Sequence, residues 1–184
     1  MTDKAAVFID LGYFSKSLKD EFDSVRVDLL KFSNKICGDC ERFRTYVYDC
    51  DPFQDPSPSV EQKMRKANAD RFHHVLKMLP RFEVRLGRLA RRTDAQGAPK
   101  YEQKGTDTQL SVDLVELCYK GIIDRAMLVT GDSDFVPAVV AAKNVGVIVE
   151  IHYYGGTHVS DELLEVCDGR FIISKEIIES CSMG

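Results

Sequence analysis

The sequence predicts an α/β domain in which helices cover both faces of a mostly parallel central sheet, a three-layer α/β/α sandwich. Two observations support this prediction. Short apolar runs that suit buried strands alternate along the chain with longer amphipathic segments that suit helices. In addition, a chain of 184 residues with 44% hydrophobic content can bury one core of ordinary size, which predicts a single domain over residues 1–184.

The first half of the chain begins with a short apolar strand and then turns helical. Apolar residues at helical spacing predict a second helix before the second strand. The next segment holds three of the six prolines and is expected to be a loop, and a long helix after it ends at Pro80. In chain order, these elements are residues 7–9 (strand), 11–19 (helix), 28–36 (helix), 43–48 (strand), 52–59 (loop) and 60–79 (helix).

The second half of the chain alternates more regularly between strands and helices. Gly121 and Gly146 follow two of the amphipathic segments and are typical of helix ends. In chain order, the elements are residues 82–89 (strand), 91–99 (a mobile turn), 108–119 (helix), 126–129 (strand), 135–144 (helix), 147–152 (strand), 161–167 (helix) and 171–173 (strand).

Composition excludes several classes of protein. The formal net charge of -4 argues against a generally basic protein that coats nucleic acid, although it allows a local basic patch. Six scattered cysteines are too few for a disulfide scaffold. No segment reaches transmembrane length and the first residues lack a secretory signal, so we expect a soluble, reduced, cytoplasmic protein with no membrane partner.

The clearest functional motif is Thr-Gly-Asp-Ser-Asp-Phe at residues 130–135, directly after a predicted strand. Its glycine permits a tight turn, and Asp132 and Asp134 follow at the opening of a helix. The structural alternative is that Asp132 or Ser133 simply caps this helix. One residue is enough for a cap, however, and this motif carries two aspartates, which favours a functional site.

A second motif, Lys-Gly-Thr-Asp at residues 104–107, repeats this logic before the helix at 108–119. Asp107 can point to the same sheet edge, and Lys104 can contact a phosphate as a point charge. The alternative is again a cap, supplied by Thr106 or Asp107. Asp113 lies six residues further on, away from the face of Asp107, so a buried ion pair or a supporting role suits it better than direct metal binding.

Asp10 ends the first predicted strand, where it could equally cap the helix that follows. The carboxyl ends of parallel strands lie along one edge of a sheet, so Asp10, Asp107, Asp132 and Asp134 are expected to converge there. Crowded carboxylates repel one another unless a cation neutralises them. An all-carboxylate site suits Mg²⁺ or Mn²⁺ better than Zn²⁺, and such an ion can activate water for phosphodiester cleavage.

These segments resemble the NYN domain family, a PIN-like group that includes the bacterial LabA-like proteins. The resemblance rests on residues 8–10, on 104–107 with Leu110, on 130–135, and on the later segment 163–171. It implies a PIN-like sandwich and metal-dependent ribonuclease chemistry, with acidic metal ligands at Asp10, Asp107, Asp132 and Asp134. One departure is clear: the family usually continues its first aspartate as Asp-Gly-x-Asn, and Tyr13 stands at the asparagine position.

A basic stretch precedes the second acidic motif. Residues 81–104 hold seven basic and three acidic residues, a local charge of about +4. One interpretation is a charged edge strand that resists aggregation; the other, which we favour, is a phosphate-binding rim leading to Lys104 and Asp107. The predicted substrate contacts are Lys104, Thr130, Ser133, Tyr13, Arg85, Arg88, Arg91 and Arg92.

Two further groups of residues are weaker candidates. Cys37 and Cys40 have zinc-like spacing, but no second Cys or His pair lies close by in sequence, so incidental thiols at a helix end are expected. His73 and His74 lie in mid-helix, where one should face solvent and the other should pack.

Three functions remain open from the sequence. The first is an endoribonuclease that uses Mg²⁺ or Mn²⁺ and acts on single-stranded RNA, because a flexible strand must thread past the metal. The second is a catalytically silent RNA-binding or regulatory module of the same fold, motivated by Tyr13 and the acidic balance. The third is a small-molecule phosphatase. A homodimer would suit a small nuclease with one basic face, and the solution mass tests that expectation.

Overall fold

The computed structural model describes residues 2–93, 99–156 and 159–183, and the side chains of residues 90–93 and 99–104 lie outside that description. The strands are β1 Lys4–Asp10, β2 Glu41–Asp51, β3 Phe82–Thr93, β4 Pro99–Lys104, β5 Arg125–Val129, β6 Ile148–Tyr153 and β7 Gly169–Ile172. The helices are α1 Leu11–Glu21, α2 Leu29–Cys37, α3 Val60–Met78, α4 Thr106–Tyr119, α5 Val136–Asn144, α6 Asp161–Val166 and α7 Lys175–Ser180, and a 3-10 turn spans Ser133–Phe135.

Side chains at several helix starts satisfy backbone N–H groups that have no partner within the helix. Asp28 accepts hydrogen bonds from the first turn of α2. Ser59 and Gln62 form a reciprocal capping box at the start of α3. These caps explain why both helices begin where the chain leaves its polar or proline-rich loops.

The seven strands form one sheet in the order β4-β3-β2-β1-β5-β6-β7. Six strands run parallel, and β4 pairs antiparallel to β3 at one edge. β1 is central: the chain builds β2 and β3 on one side of it and returns to place β5, β6 and β7 on the other. The strand order therefore reverses at β1, which is where open α/β sheets bind ligands.

Helices cover both faces of this sheet. On one face, Phe8 and Tyr48 pack with Leu114 of α4 and Val139 of α5. On the other face, alternate strand residues pack against α1, α2, α3 and α7. The prediction of a three-layer α/β/α sandwich with a mostly parallel sheet is confirmed.

Two sequence predictions of local structure need correction. The turn predicted over residues 91–99 is wrong at both ends, because β3 continues to Thr93 and β4 begins at Pro99; residues 94–98 lie outside the described part of the chain. Strand β4 itself was not predicted, and neither was the short helix α7. Within the described ranges, no helix has the length and apolar character needed to cross a bilayer.

Candidate active site

The site is built where β1 and β5 end side by side at the carboxyl edge of the sheet. Asp10 is the last residue of β1, and Thr130 follows β5. The Thr130 hydroxyl donates a hydrogen bond to Asp10 Oδ2 at 3.4 Å. Asp10 Oδ1 accepts from the Tyr13 N–H at 3.1 Å, so Asp10 also caps α1. One oxygen of Asp10 thus caps α1, and the other accepts from the residue that follows the neighbouring strand β5.

Asp132 and Asp134 follow on the loop after β5, and both are exposed. Asp132 Oδ1 accepts from the Asp134 N–H at 3.0 Å and so caps the 3-10 turn Ser133–Phe135. The capping alternative is therefore confirmed for Asp132. Capping uses one of its two oxygens and does not involve the Asp134 carboxylate.

Asp107 lies in the first turn of α4 and plays no capping role. The residue before this helix is Gly105, whose φ of 93° lies in the left-handed region, and no side chain among those described caps the helix. The capping alternative for Thr106 or Asp107 is therefore wrong. The Thr106 hydroxyl donates to Asp107 Oδ1 at 3.4 Å, and the backbone at the start of α4 makes no capping hydrogen bond to this carboxylate.

Electrostatics link these carboxylates. Burial raises the pKa of Asp10 above its ordinary value, and the nearby Asp107 carboxylate raises it further, against the hydrogen bond from the Tyr13 N–H. Burial also raises the pKa of Asp107, to which the charges of Asp132 and Asp134 add. The fold thus holds negative groups near one another in a partly desolvated place, an arrangement that favours a cation.

The donors fit a hard divalent cation, because all four are carboxylates. Their spacing limits how an ion would be held: among the described residues, no three of these aspartates bring carboxylate oxygens within 4.8 Å of one another. Mg²⁺ usually keeps several waters and binds through one or two carboxylates. The residues therefore fit a hydrated ion better than one enclosed entirely by protein oxygens.

The four aspartates line two hollows. Asp10 and Asp132 line a polar hollow of about 580 Å³. Its other polar side chains come from Tyr13, Lys16, Thr130, Ser133 and Ser160. Asp107 and Asp134 line an apolar hollow of about 810 Å³ between α4 and α5. Its apolar side chains come from Val112, Val115, Pro137 and Ala138. Lys16 and these apolar residues were not predicted as part of the site, although each lies within eight residues of one of the aspartates in the sequence.

Tyr13 lines the polar hollow, and its hydroxyl also supports the fold. The hydroxyl oxygen accepts a hydrogen bond from the Tyr154 N–H at 3.2 Å, and the two rings lie 6.0 Å apart. Tyr13 thereby ties α1 to the chain just after β6. This role explains how a tyrosine is accommodated next to Asp10.

The predicted basic rim is described only in part. Arg85 Nε donates to Asp113 Oδ2 at 3.1 Å, and Arg85 also pairs with Glu83. The buried Tyr48 hydroxyl donates to the same Asp113 oxygen at 2.9 Å. The ion pair predicted for Asp113 is therefore present, but it is partly exposed rather than buried. Arg88 is exposed. The side chains of Arg91, Arg92 and Lys104 lie outside the described part of the structure.

The structure contains a second group of possible metal ligands that was not predicted from the sequence. Ligand atoms of Asp51, Asp70 and His73 lie within 4.8 Å of one another and could hold a metal ion. As predicted, one histidine of the His73–His74 pair packs and the other is exposed. The available signal was the Asp-x-x-His spacing of residues 70–73, which puts both side chains on one helix face.

Comparisons with known proteins agree with this architecture. The model of the NYN domain matches residues 4–177. A crystal structure of a protein of unknown function from Vibrio parahaemolyticus is similar, with a TM-score of 0.67, 20% sequence identity and 95% of each chain covered. At this identity the similarity concerns the fold alone. No curated protein matches the chain.

Proposed function

Because this chain belongs to the NYN domain family, we propose that it is a metal-dependent endoribonuclease that hydrolyses RNA phosphodiester bonds. The reaction would take place at Asp10, Asp107, Asp132 and Asp134, with Mg²⁺ or Mn²⁺ as the ion. The substrate we propose is single-stranded RNA. Assignment to the LabA-like group and a homodimeric state remain predictions.

The observation that carries this proposal is the position of Asp107. Its carboxylate does not cap α4, although it sits in the first turn of that helix. Burial and the carboxylates of Asp132 and Asp134 raise its pKa, so the fold keeps it in an unfavourable environment for an anion. Such an arrangement suits a site that gains stability when a cation binds.

Each residue has a distinct part in this proposal. Asp10, Asp107 and Asp132 would hold the hydrated ion, one or two of them directly and the rest through its waters, with Asp134 beside them. When bound, the ion supplies an activated water and neutralises charge on the phosphodiester. Thr130 fixes the orientation of the Asp10 carboxylate through its hydroxyl. Lys16 in the polar hollow offers an ammonium group for an RNA phosphate, as would Lys104 and the basic stretch that ends with it.

The apolar hollow supports a single-stranded substrate. Val112, Val115 and Pro137 offer surface to an unpaired base next to Asp107 and Asp134. An unstacked base can bury a face there, whereas a base inside a duplex cannot reach it. A strand that passes the aspartates would then place its phosphates at the polar hollow and a base in the apolar one.

The direct test is cleavage of labelled single-stranded RNA in the presence of Mn²⁺ or EDTA. We expect cleavage with Mn²⁺, no cleavage with EDTA, and a loss of at least about 100-fold in Asp107→Asn, because a metal ligand should matter at least as much as its supporting groups. The matched control is Glu179→Gln, which removes an exposed carboxylate on α7 that pairs with Lys175. Equal cleavage by all samples would indicate a contaminating nuclease and contradict the proposal.

The position of Tyr13 favours a second candidate, an RNA-binding module that does not cut. Its hydroxyl is committed to the Tyr154 N–H, at the position where the family pattern has an asparagine. Such a module would bind RNA with a steep dependence on salt and no dependence on EDTA. Release of phosphate from nucleotides without RNA cleavage would instead favour a small-molecule phosphatase.

A further inference from the structure

A cluster of charged groups lies between the end of β2 and α3, on the face of the sheet opposite α4. Asp49 and Asp51 come from β2. Lys66, Asp70 and His73 follow one another at intervals of four and three residues on α3, so they share one side of that helix. None of these residues belongs to the candidate active site.

His73 is the unusual member of the cluster. Its side chain is only 3% exposed. Its Nε2 lies 2.7 Å from Asp49 Oδ2, and because a carboxylate can only accept, Nε2 carries the proton. The other oxygen of Asp49 accepts from the Cys50 N–H at 2.7 Å, which fixes the carboxylate. The remaining ring nitrogen, Nδ1, is buried and has no hydrogen-bond partner in the described part of the chain, which leaves its lone pair available to a metal ion.

This nitrogen lies beside a carboxylate of β2. Nδ1 is 3.9 Å from Asp51 Oδ1, and one ligand atom from each of Asp51, Asp70 and His73 lies within 4.8 Å of the other two. Bonds of about 2.0–2.1 Å to a zinc ion would separate neighbouring ligands by roughly 3.3 Å. Rotation of the two partly exposed aspartate side chains would bring the three ligand atoms to this spacing.

Lys66 already places a positive charge among these groups. Its Nζ lies 3.2 Å from Asp51 Oδ1 and also contacts Asp70. Two carboxylates nevertheless share this single ammonium, and among the described residues no hydrogen bond reaches Nδ1 of His73. The long lysine side chain is partly exposed and can turn toward water, because ion pairs of this kind contribute little.

We propose that Asp51, Asp70 and His73 form a second metal site, which takes a zinc-type divalent ion. One imidazole nitrogen and two carboxylates suit such an ion better than Mg²⁺, which prefers oxygen ligands alone. Asp49 is a positioning residue, since ligating histidines commonly donate their other N–H to a carboxylate. Lys66 occupies the place of the ion when none is bound. The ion would fasten α3 to the end of β2.

The first experiment titrates Zn²⁺ by calorimetry into protein stripped with EDTA and desalted, in the Asp107→Asn background to weaken the candidate active site. We expect one Zn²⁺ per chain. Adding Asp70→Asn should weaken binding at least tenfold, because it removes an exposed ligand without disturbing the core. Adding Glu61→Gln instead is the control. It removes a carboxylate on the same helix that pairs with Arg65, and it should leave Zn²⁺ binding unchanged. Equal affinities in these two proteins would overturn the proposal.

The second experiment identifies the ligand atom by nitrogen NMR of the histidine rings. Zn²⁺ should shift the Nδ1 resonance of His73 and leave the exposed His74 unaffected. The third replaces Lys66 by methionine, which removes the competing ammonium and should tighten binding roughly tenfold. A shift confined to His74, or an unchanged affinity in Lys66→Met, would contradict the proposed site and the role of Lys66.

Discussion

Asp107 and Asp132 both follow closely on a glycine, yet the backbone uses their carboxylates differently. Asp132 has an extended conformation, and its side chain reaches forward to accept from the Asp134 N–H. Asp107 already lies inside α4, because Gly105 takes the position before the helix. The capping side chain of a helix comes from the residue that precedes it, and before α4 that residue is a glycine, which has no side chain. The Asp107 carboxylate therefore remains available to a metal ion, although the neighbouring carboxylates repel it.

That repulsion predicts a trade-off between stability and activity. The raised pKa of Asp107 means that the folded protein holds this proton more tightly than the unfolded chain does. Its contribution to stability is therefore complete below the ordinary pKa and is lost as the pH rises through the raised value. We expect Asp107→Asn to be more stable than the natural protein at pH 7, by about 2–4 °C in Tm, and no more stable at pH 3.

Thermal unfolding of both proteins between pH 3 and pH 7 measures this difference. Glu179→Gln is again the control, since its carboxylate is exposed and distant from the acidic cluster. A lower Tm for Asp107→Asn at pH 7 would show that the carboxylate stabilises the fold, contrary to our electrostatic interpretation.

Tyr13 provides a prediction about a single hydrogen bond. In Tyr13→Phe the Tyr154 N–H loses its acceptor, while the ring contacts are retained. Loss of a partner from a partly buried donor should lower the free energy of unfolding by about 1–2 kcal/mol. Urea unfolding measures the change, and Tyr119→Phe, on an exposed tyrosine, provides the comparison. Similar stability in the two variants would show that the Tyr13 hydroxyl is not structural.

At the scale of one element, the start of α4 depends on Gly105. A φ of 93° is unfavourable for residues with a Cβ, although a Cβ at this position would meet nothing within 4 Å. Gly105→Ala should therefore destabilise the protein by about 1–2 kcal/mol through backbone strain alone, and should displace Asp107. Gly155→Ala is the control, because its Cβ would make an ordinary 3.7 Å contact. Urea unfolding gives both values, and equal effects would exclude strain at Gly105.

Elements with a strong local signal could be predicted from the sequence, and those formed by pairing could not. Helix α3 is marked by its capping residue Ser59 and by Pro80 beyond its end, so its bounds were predicted within one residue. Strand β4 has the polar sequence Pro-Lys-Tyr-Glu-Gln-Lys and forms by antiparallel pairing with β3. Such a strand lacks the alternation of apolar and polar residues from which a strand is predicted. Helix α7 has six residues, too few to show a helical period.

The whole molecule explains why the aspartates could be predicted and their neighbours could not. Alternating strands and helices imply a parallel sheet, and that sheet collects the residues that follow its strands at one edge. The central place of β1 depends on long-range pairing with both β2 and β5. That pairing brings Thr130 and Ser160 to Asp10, whereas Lys16 lies on α1 only six residues after Asp10. The packing of α4 beside α5 brings Val112 and Asp134 to one hollow. Local sequence carries no record of such pairings.

Charge distribution over the whole chain leads to the last prediction. With a net charge of -4, the protein should repel RNA, so binding must rely on the local excess of basic residues at 81–104. Each phosphate contact on single-stranded RNA contributes about 0.7 to the slope of log affinity against log salt. Replacing Arg91 and Arg92 by alanine should therefore weaken RNA binding and reduce that slope by about 1.4.

Replacing Lys31 and Lys175, on α2 and α7, removes the same charge from elsewhere and should leave the slope unchanged. Fluorescence anisotropy across a salt series measures both, and equal changes in the two proteins would mean that net charge, rather than the basic stretch, governs RNA binding.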